Sequence, residues 1–202
     1  GTHTIDVRGD IVKGSNRTFQ FSLQNAADLM LVDSQLGINI AASTVVTNGA
    51  GPTVTVSTGS ITVNIDPTFQ AMTNVTGGAT NVVIGKFKLR GYGEDVKVQT
   101  LRVIPSMTSG VASGSSATST LNNVTLFFNG SQVGSSQNWN ASAISTGYLT
   151  YTLGSSMVVP AGVDNTLEVR ADVQTSDNYN YTSGTITVQL PATGNTNNSQ
   201  GM

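Results

Sequence analysis

The chain has 202 residues, with nine Lys and Arg, eleven Asp and Glu, one His, no Cys and a formal net charge of −2. These numbers exclude disulfides, thiolate zinc sites and cysteine nucleophiles, a multi-histidine metal centre within one chain, and the basic footprint of a nucleic-acid binder. Thr (28), Ser (22), Gly (22) and Asn (18) together supply 90 residues, so uncharged polar groups do the solvating that Lys and Glu usually do.

Hydrophobic residues make up 38%, enough for a core in a chain of this size. Period-two alternation, the mark of half-buried strands, recurs along the chain. Ile5, Val7 and, past Gly9, Ile11 share one side, and Phe19, Phe21 and Leu23 repeat the pattern. Residues Asn25 to Gln35 could form a short helix, although Leu29-Met30-Leu31-Val32 reads equally as a strand. Val54 and Val56 lead into Ile61, Val63 and Ile65 across Ser57-Thr58-Gly59-Ser60. Val83, Gly85, Phe87 and Leu89 alternate with Ile84, Lys86 and Lys88, and Gly91-Tyr92-Gly93-Glu94 joins two strands by a short loop. In the next run the phase shifts between Val98 and Leu101, which predicts a bulge. Ser106 to Thr120 has no apolar period and reads as a surface loop. Val124-Thr-Leu126-Phe-Phe128 then meets Asn129-Gly130, the residues of a type I′ hairpin turn. Tyr148–Leu153, Leu167–Val173 and Ile186–Leu190 complete the set. Many short strands with Gly-rich turns predict a β-sandwich. No apolar run reaches about 18 residues, so no membrane span is predicted. The start, Gly1-Thr2-His3-Thr4, is no signal peptide and reads as a processed chain or a fragment.

An internal repeat bears on function. Thr4-Ile5-Asp6-Val7-Arg8-Gly9-Asp10-Ile11 matches Thr166-Leu167-Glu168-Val169-Arg170-Ala171-Asp172-Val173, each position identical or similar. The following strand matches too, Thr18–Leu23 against Thr185–Leu190. The closing hairpin of the chain thus has a counterpart at its beginning. Two readings follow. The chain is a piece of a tandem array, or it is an assembly subunit whose first hairpin completes a neighbour by strand addition. In both, its partner is itself.

The stretch from Gly78 to Val98, with Lys86-Phe-Lys-Leu-Arg-Gly-Tyr-Gly-Glu-Asp-Val at its heart, resembles a known pattern. So do Leu121–Leu126, the Val159-Pro160-Ala161-Gly162 turn and Leu167–Val173. Together, over about residues 60–190, they resemble the tandem immunoglobulin-like modules of large bacterial cell-surface and S-layer-like proteins. The resemblance implies an all-β, immunoglobulin-like β-sandwich with an extra amino-terminal hairpin and an extracellular, cell-surface setting. The expected divisions are residues 1–24 (hairpin equivalent to the end of a preceding module), 25–80 (β-rich connection), 81–191 (sandwich) and 192–202 (tail or linker).

Candidate chemistry is sparse. Calcium, which takes six to eight oxygens, has candidate ligands in Glu94, Asp95, Asp172 and Asp177, with Asp10 and Asn178 in reserve, but no calcium-loop motif is present. Solvated turn acids are the competing reading. Arg8-Gly9-Asp10 spells an adhesive tripeptide but sits inside an alternating strand. A Ser-His-Asp triad lacks a placed histidine, since His3 is terminal. A glycosidase pair lacks a marked cleft, and the only Glu residues are Glu94 and Glu168. No enzyme activity is therefore expected. Seven N-x-Ser/Thr sequons offer glycan acceptors at Asn16, Asn74, Asn123, Asn129, Asn140, Asn180 and Asn197. Trp139, the only Trp, is a candidate stacking platform for a glycan, against the alternative that it caps the sandwich. The expected function is a self-assembling extracellular structural protein forming a surface layer, stalk or filament. A surface adhesin or glycan-binding β-module is the alternative, and a viral or phage fibre or decoration protein a third.

Overall fold

A computed structural model describes residues 6–11, 17–23, 25, 28–40, 51–69, 74–108, 114, 119–191, 196–197 and 200–201. The chain divides into two compact units, Gly1–Ser57 and Thr58–Met202. The division falls neither at residue 24 nor at residue 80. The stretch 60–65, expected in a connecting part, instead belongs to the main sheet of the second unit.

The first unit holds short ladders: β1 (Thr18–Phe19) pairs with β4 (Val54–Thr55), and β2 (Leu31–Val32) with β3 (Asn39–Ile40). All pairings are antiparallel. The helix considered for Asn25–Gln35 does not form at its carboxyl end, where the hydrophobic residues Leu31 and Val32 enter β2. Residues 6–11, expected as a strand, lie outside any ladder and are exposed, Arg8-Gly9-Asp10 included. His3 lies outside the described residues.

Among its described residues the second unit is all-β apart from one short helix. Its main sheet is antiparallel and contains β5 (Ser60–Ile65), β6 (Val82–Tyr92), β9 (Leu121–Phe128), β10 (Ser131–Trp139) and β13 (Asp164–Asp172). Their spatial order is β10-β9-β13-β6-β5. A second antiparallel sheet runs β11 (Leu149–Thr152), β8 (Thr100–Thr108), β14 (Thr185–Gln189). Three two-residue strands, β7 (Val96–Lys97), β12 (Val158–Val159) and β16 (Gln200–Gly201), make a small third sheet. β15 (Thr196–Asn197) pairs with β8, so the expected 192–202 tail contributes to two ladders.

Alternation puts one face of each large sheet into a common apolar cluster. Leu167 stands opposite both Phe87 and Phe128, and Val169 opposite Gly85 and Leu126. All of these are buried. Leu101 and Val103 from the second sheet join the same cluster. Each fully buried Leu or Val side chain contributes about 1.5–3 kcal/mol. Tyr151 on β11 also reaches across: its hydroxyl donates to the Val124 carbonyl on β9 at 2.9 Å. The phase shift at Val98 is real. The β7–β8 strand breaks there, and Val98 and Leu101 are both buried on either side of the break.

The outer face of the main sheet carries a charge ladder. Lys86 lies 3.8 Å from Asp66 and 3.9 Å from Glu168. Glu168 pairs with Arg170 at 2.6 Å, and Arg170 covers the Phe127 ring at 4.2 Å from its centroid. Asp66 also ends β5, because its carboxylate accepts from the Thr68 N–H and hydroxyl in an Asx-type turn. Those bonds, opposed by desolvation and aided by Lys86 and Lys88, hold its pKa below the ordinary carboxylate value.

The Asn129-Gly130 hairpin forms as the sequence predicts, both residues having positive φ (48° and 85°). Gly130 adopts this freely, whereas Asn129 is fixed by its side chain. Its amide nitrogen donates to Asn165 Oδ1 and its Oδ1 accepts from Thr166 N, both at 2.9 Å. Asn129→Gly keeps the turn and loses those bonds, whereas Asn129→Ala also strains the backbone. We expect urea unfolding to show a loss of about 1–2 kcal/mol for Asn129→Ala and less for Asn129→Gly.

Candidate functional residues

The four acids considered for calcium are each engaged in pinning a loop. Glu94 Oε1 accepts from Gly59 N at 2.9 Å, tying the β6–β7 turn to the start of β5. Asp95 Oδ1 accepts from Ala161 N at 2.8 Å, holding the turn after β12. Asp172 Oδ1 accepts from Asn81 N at 2.8 Å and its Oδ2 from Asn123 Nδ2 at 2.7 Å. Asp177 accepts from the Thr175 hydroxyl, which in turn accepts from Tyr179 N at 3.0 Å. Among the described residues no three His, Cys, Asp or Glu gather into a group that could hold a metal ion. Asn178 is used similarly, accepting from Asn122 Nδ2 at 2.7 Å. Asp10 is exposed and belongs to the other unit. Sequence reasoning found acids at strand ends; in the structure Glu94, Asp95 and Asp172 accept from backbone N–H groups that turns leave unpaired, and Asp177 from a hydroxyl.

Asp172 anchors a polar network at one end of the main sheet. Asn123 has φ 49°, and its N–H donates to Asn138 Oδ1 at 2.9 Å. Nearby, Thr120 accepts from Ser176 N at 2.9 Å through its hydroxyl, and its carbonyl accepts from Tyr181 OH at 2.5 Å. Burial, against that bond, raises the Tyr181 phenol above its ordinary pKa. This network closes the polar end of the sheet and holds the loops there.

The sequons divide by how their amides are used. Asn129 and Asn123 donate their Nδ2 to Asn165 and Asp172, so the nitrogen that would carry a glycan is already bonded. Asn140 caps the helix α1 (Ala141–Thr146), its Oδ1 accepting from Ala143 N at 3.0 Å. Gly147 ends that helix in the left-handed conformation, φ 86°. Asn180 accepts from Gln174 Nε2 at 3.0 Å. Asn74 is exposed. Asn16 and the side chain of Asn197 lie outside the described residues.

Trp139 does not present a stacking face. It is 6% exposed and packs in the common cluster, at the end of β10 opposite Leu121. An open depression of about 620 Å³ lies beside it, lined among others by Gln137, Asn138, Asn140, Thr146 and Tyr148. The Tyr148 ring there carries the Arg102 guanidinium at 4.4 Å from its centroid. Sequence reasoning missed this depression, because its walls come from β10, α1 and the start of β11. The Asn-x-x-x-x-x-x-Gly spacing of the helix caps, Asn140 to Gly147, was the one available signal.

Among the described residues no helix is long and apolar enough to cross a membrane. No family model, no curated protein and no solved structure matches this chain.

Proposed function

We propose that this chain is a structural, self-assembling extracellular protein, a repeating element of a surface layer, stalk or filament built on immunoglobulin-like sandwiches. The observation that carries the reading is the character of the first unit. Val7, Ile11, Phe21, Leu23, Met30, Leu31, Val32, Leu36, Ile38, Ile40 and Val54 are exposed there, and none of its described residues is buried. Apolar side chains exposed in such number mark an association surface. The second unit supplies the buried core, and its acids are bonded at its loops. The paucity of charge fits close packing of copies, since net charge far from zero keeps proteins apart.

The expected result for the whole chain is concentration-dependent association. Light scattering after gel filtration, followed by electron microscopy of the largest fractions, should show ordered oligomers or fibres. The experiment should be run with EDTA and with added calcium, because the bonded state of the acids predicts the same outcome in both. A monodisperse monomer at high concentration under both conditions would falsify the reading.

A further inference from the structure

The two large sheets of the second unit run in the same order. β11 packs on β10 at one side, and β14 packs on β6 at the other. At the β14 contact, Gly85 leaves room for Val188: a Cβ there would meet Val188 at 3.0 Å. The main sheet continues one strand further, to β5, whereas the second sheet stops at β14. Among the described residues of the second unit, no strand of the second sheet lies beyond β14 to face β5.

Two observations bear on the lane opposite β5. Ile61, Val63 and Ile65 stand opposite Gly91, Leu89 and Phe87 in the ladder, which places them on the core-facing side of the sheet. Yet Val63 is 40% and Ile65 72% exposed, although Leu89 and Phe87 beside them are buried. β14, for its part, has a ladder with β8 on one side and no ladder on the other among the described residues. Its Ile186 and Val188 stand opposite Met107 and Pro105, on the core-facing side, and its Thr185, Thr187 and Gln189 face out. A cavity of about 360 Å³ lined by Ile84, Met107 and Ile186 opens at the start of β14. A strand laid along β14 would complete its free main-chain groups and cover the apolar side chains of β5.

The chain itself contains such a strand without a ladder. Residues 6–11 repeat the sequence of β13, whose Leu167, Val169 and Ala171 are completely buried between two ladders. Even the local ion pair recurs: Arg8 lies 3.7 Å from Asp6, as Arg170 lies 2.6 Å from Glu168. In residues 6–11, however, Val7 is 65% and Ile11 55% exposed. Six extended residues span about 20 Å, the length of β5 or β14. With Val7 and Ile11 turned inward, Asp6, Arg8 and Asp10 fall beside uncharged Thr185, Thr187 and Gln189, so no like charges oppose one another.

We propose that a second copy of this chain fills the lane with its residues 6–11, pairing with the free edge of β14 and seating Val7 and Ile11 on Val63 and Ile65. Each copy then donates one strand and accepts one, which is a head-to-tail contact that propagates. This inference rests on the self-assembly reading and names the joint.

Complementation between two variants tests it. Val7→Asp/Ile11→Asp removes the donor and leaves the acceptor, while Val63→Asp/Ile65→Asp does the reverse. All four side chains are exposed, so both variants should fold, which circular dichroism checks. Each variant alone should self-associate at least about tenfold more weakly than the unaltered chain. Mixed in equal amounts, they should form a 1:1 dimer, because one intact donor meets one intact acceptor. A peptide of residues 4–12 should shorten the assemblies of the unaltered chain, and a scrambled peptide should not. Should a variant fail to fold, the peptide result decides. If the unaltered chain assembles but the variants assemble equally well, or the mixture gives no dimer, the joint is elsewhere and self-assembly stands. If the unaltered chain is a monomer, both readings fall.

Discussion

Replacing Trp139 by alanine should cost about 3–5 kcal/mol of unfolding free energy. The indole is 6% exposed and sits in the cluster shared by both large sheets. It stands opposite Leu121 at the far end of β10, after two register shifts that turn the strand. Those irregularities let a strand of Ser, Gln and Asn place one large apolar group inward. Removing that group leaves a cavity that the two sheets collapse only in part, because β10 is tied to β9 and β11 to β8 by their ladders. A domain has only about 5–15 kcal/mol to lose, so the variant should unfold at a much lower urea concentration. A glycan-stacking role makes the opposite prediction: unchanged unfolding and loss of binding to a glycan array. A stability change below about 0.5 kcal/mol, the usual size at an exposed site, would return Trp139 to the surface.

Alkali should unfold the second unit by way of Tyr151. The side chain is 1% exposed, and burial alone raises its phenol well above the ordinary pKa near 10. The sign follows from which state loses its proton first. Above pH 10 the unfolded chain ionises this tyrosine while the folded chain keeps it neutral, so the unfolded state binds fewer protons and stability falls as pH rises. The contribution is fully present below pH 10 and is lost progressively above it. Tyr151→Phe separates this group from the other alkaline titrations. At pH 7 the variant should be less stable by about 1–3 kcal/mol, because the Val124 carbonyl loses its partner across the core. Between pH 10 and 12 its stability should fall less steeply than that of the unaltered chain, and the two curves should converge. Parallel curves in urea unfolding over this range would show that Tyr151 is not the group responsible. Asp66 gives the opposite, acidic limit: its lowered pKa contributes stability above the unfolded carboxylate value, lost as pH falls through the folded one.

The strands that face one apolar cluster were legible in the sequence. β6, β9, β11, β13 and β14 lie where period-two alternation places them, and β8 does so as far as Val103. It runs on to Thr108, into the stretch Ser106–Thr120 expected as a loop, because Ser106–Thr108 pair with β14. β10 was legible only as far as Val133, because its remaining inward positions are broken by register shifts and its outward residues are small and polar. α1 was missed, since six residues show too little of a helical period. The strand predicted for residues 5–11 carries as clear an alternation as β13, yet its described residues form no ladder. Alternation reports the chemistry a strand needs around it and is silent on whether a neighbour supplies it.

The same limit applies to the side chains singled out for function. Glu94, Asp95, Asp172 and Asp177 were recognisable as acids at turns, but whether they face a metal or a backbone N–H depends on loops far away in sequence. Trp139 could stack outward or pack inward, and only the twist of β10 decided it. Composition, periodicity and turn residues by themselves determined an all-β chain and its Asn129-Gly130 hairpin, because these depend on contacts a few residues long. The expected closing hairpin does not form, since β13 and β14 stand in different sheets. Its amino-terminal counterpart does not form either, since residues 6–11 join no ladder and β1 pairs with β4. Tertiary structure alone decided which strand pairs with which, which apolar faces stay uncovered and which polar groups are already satisfied. Those are outcomes of long-range pairing, and no local preference encodes the partner.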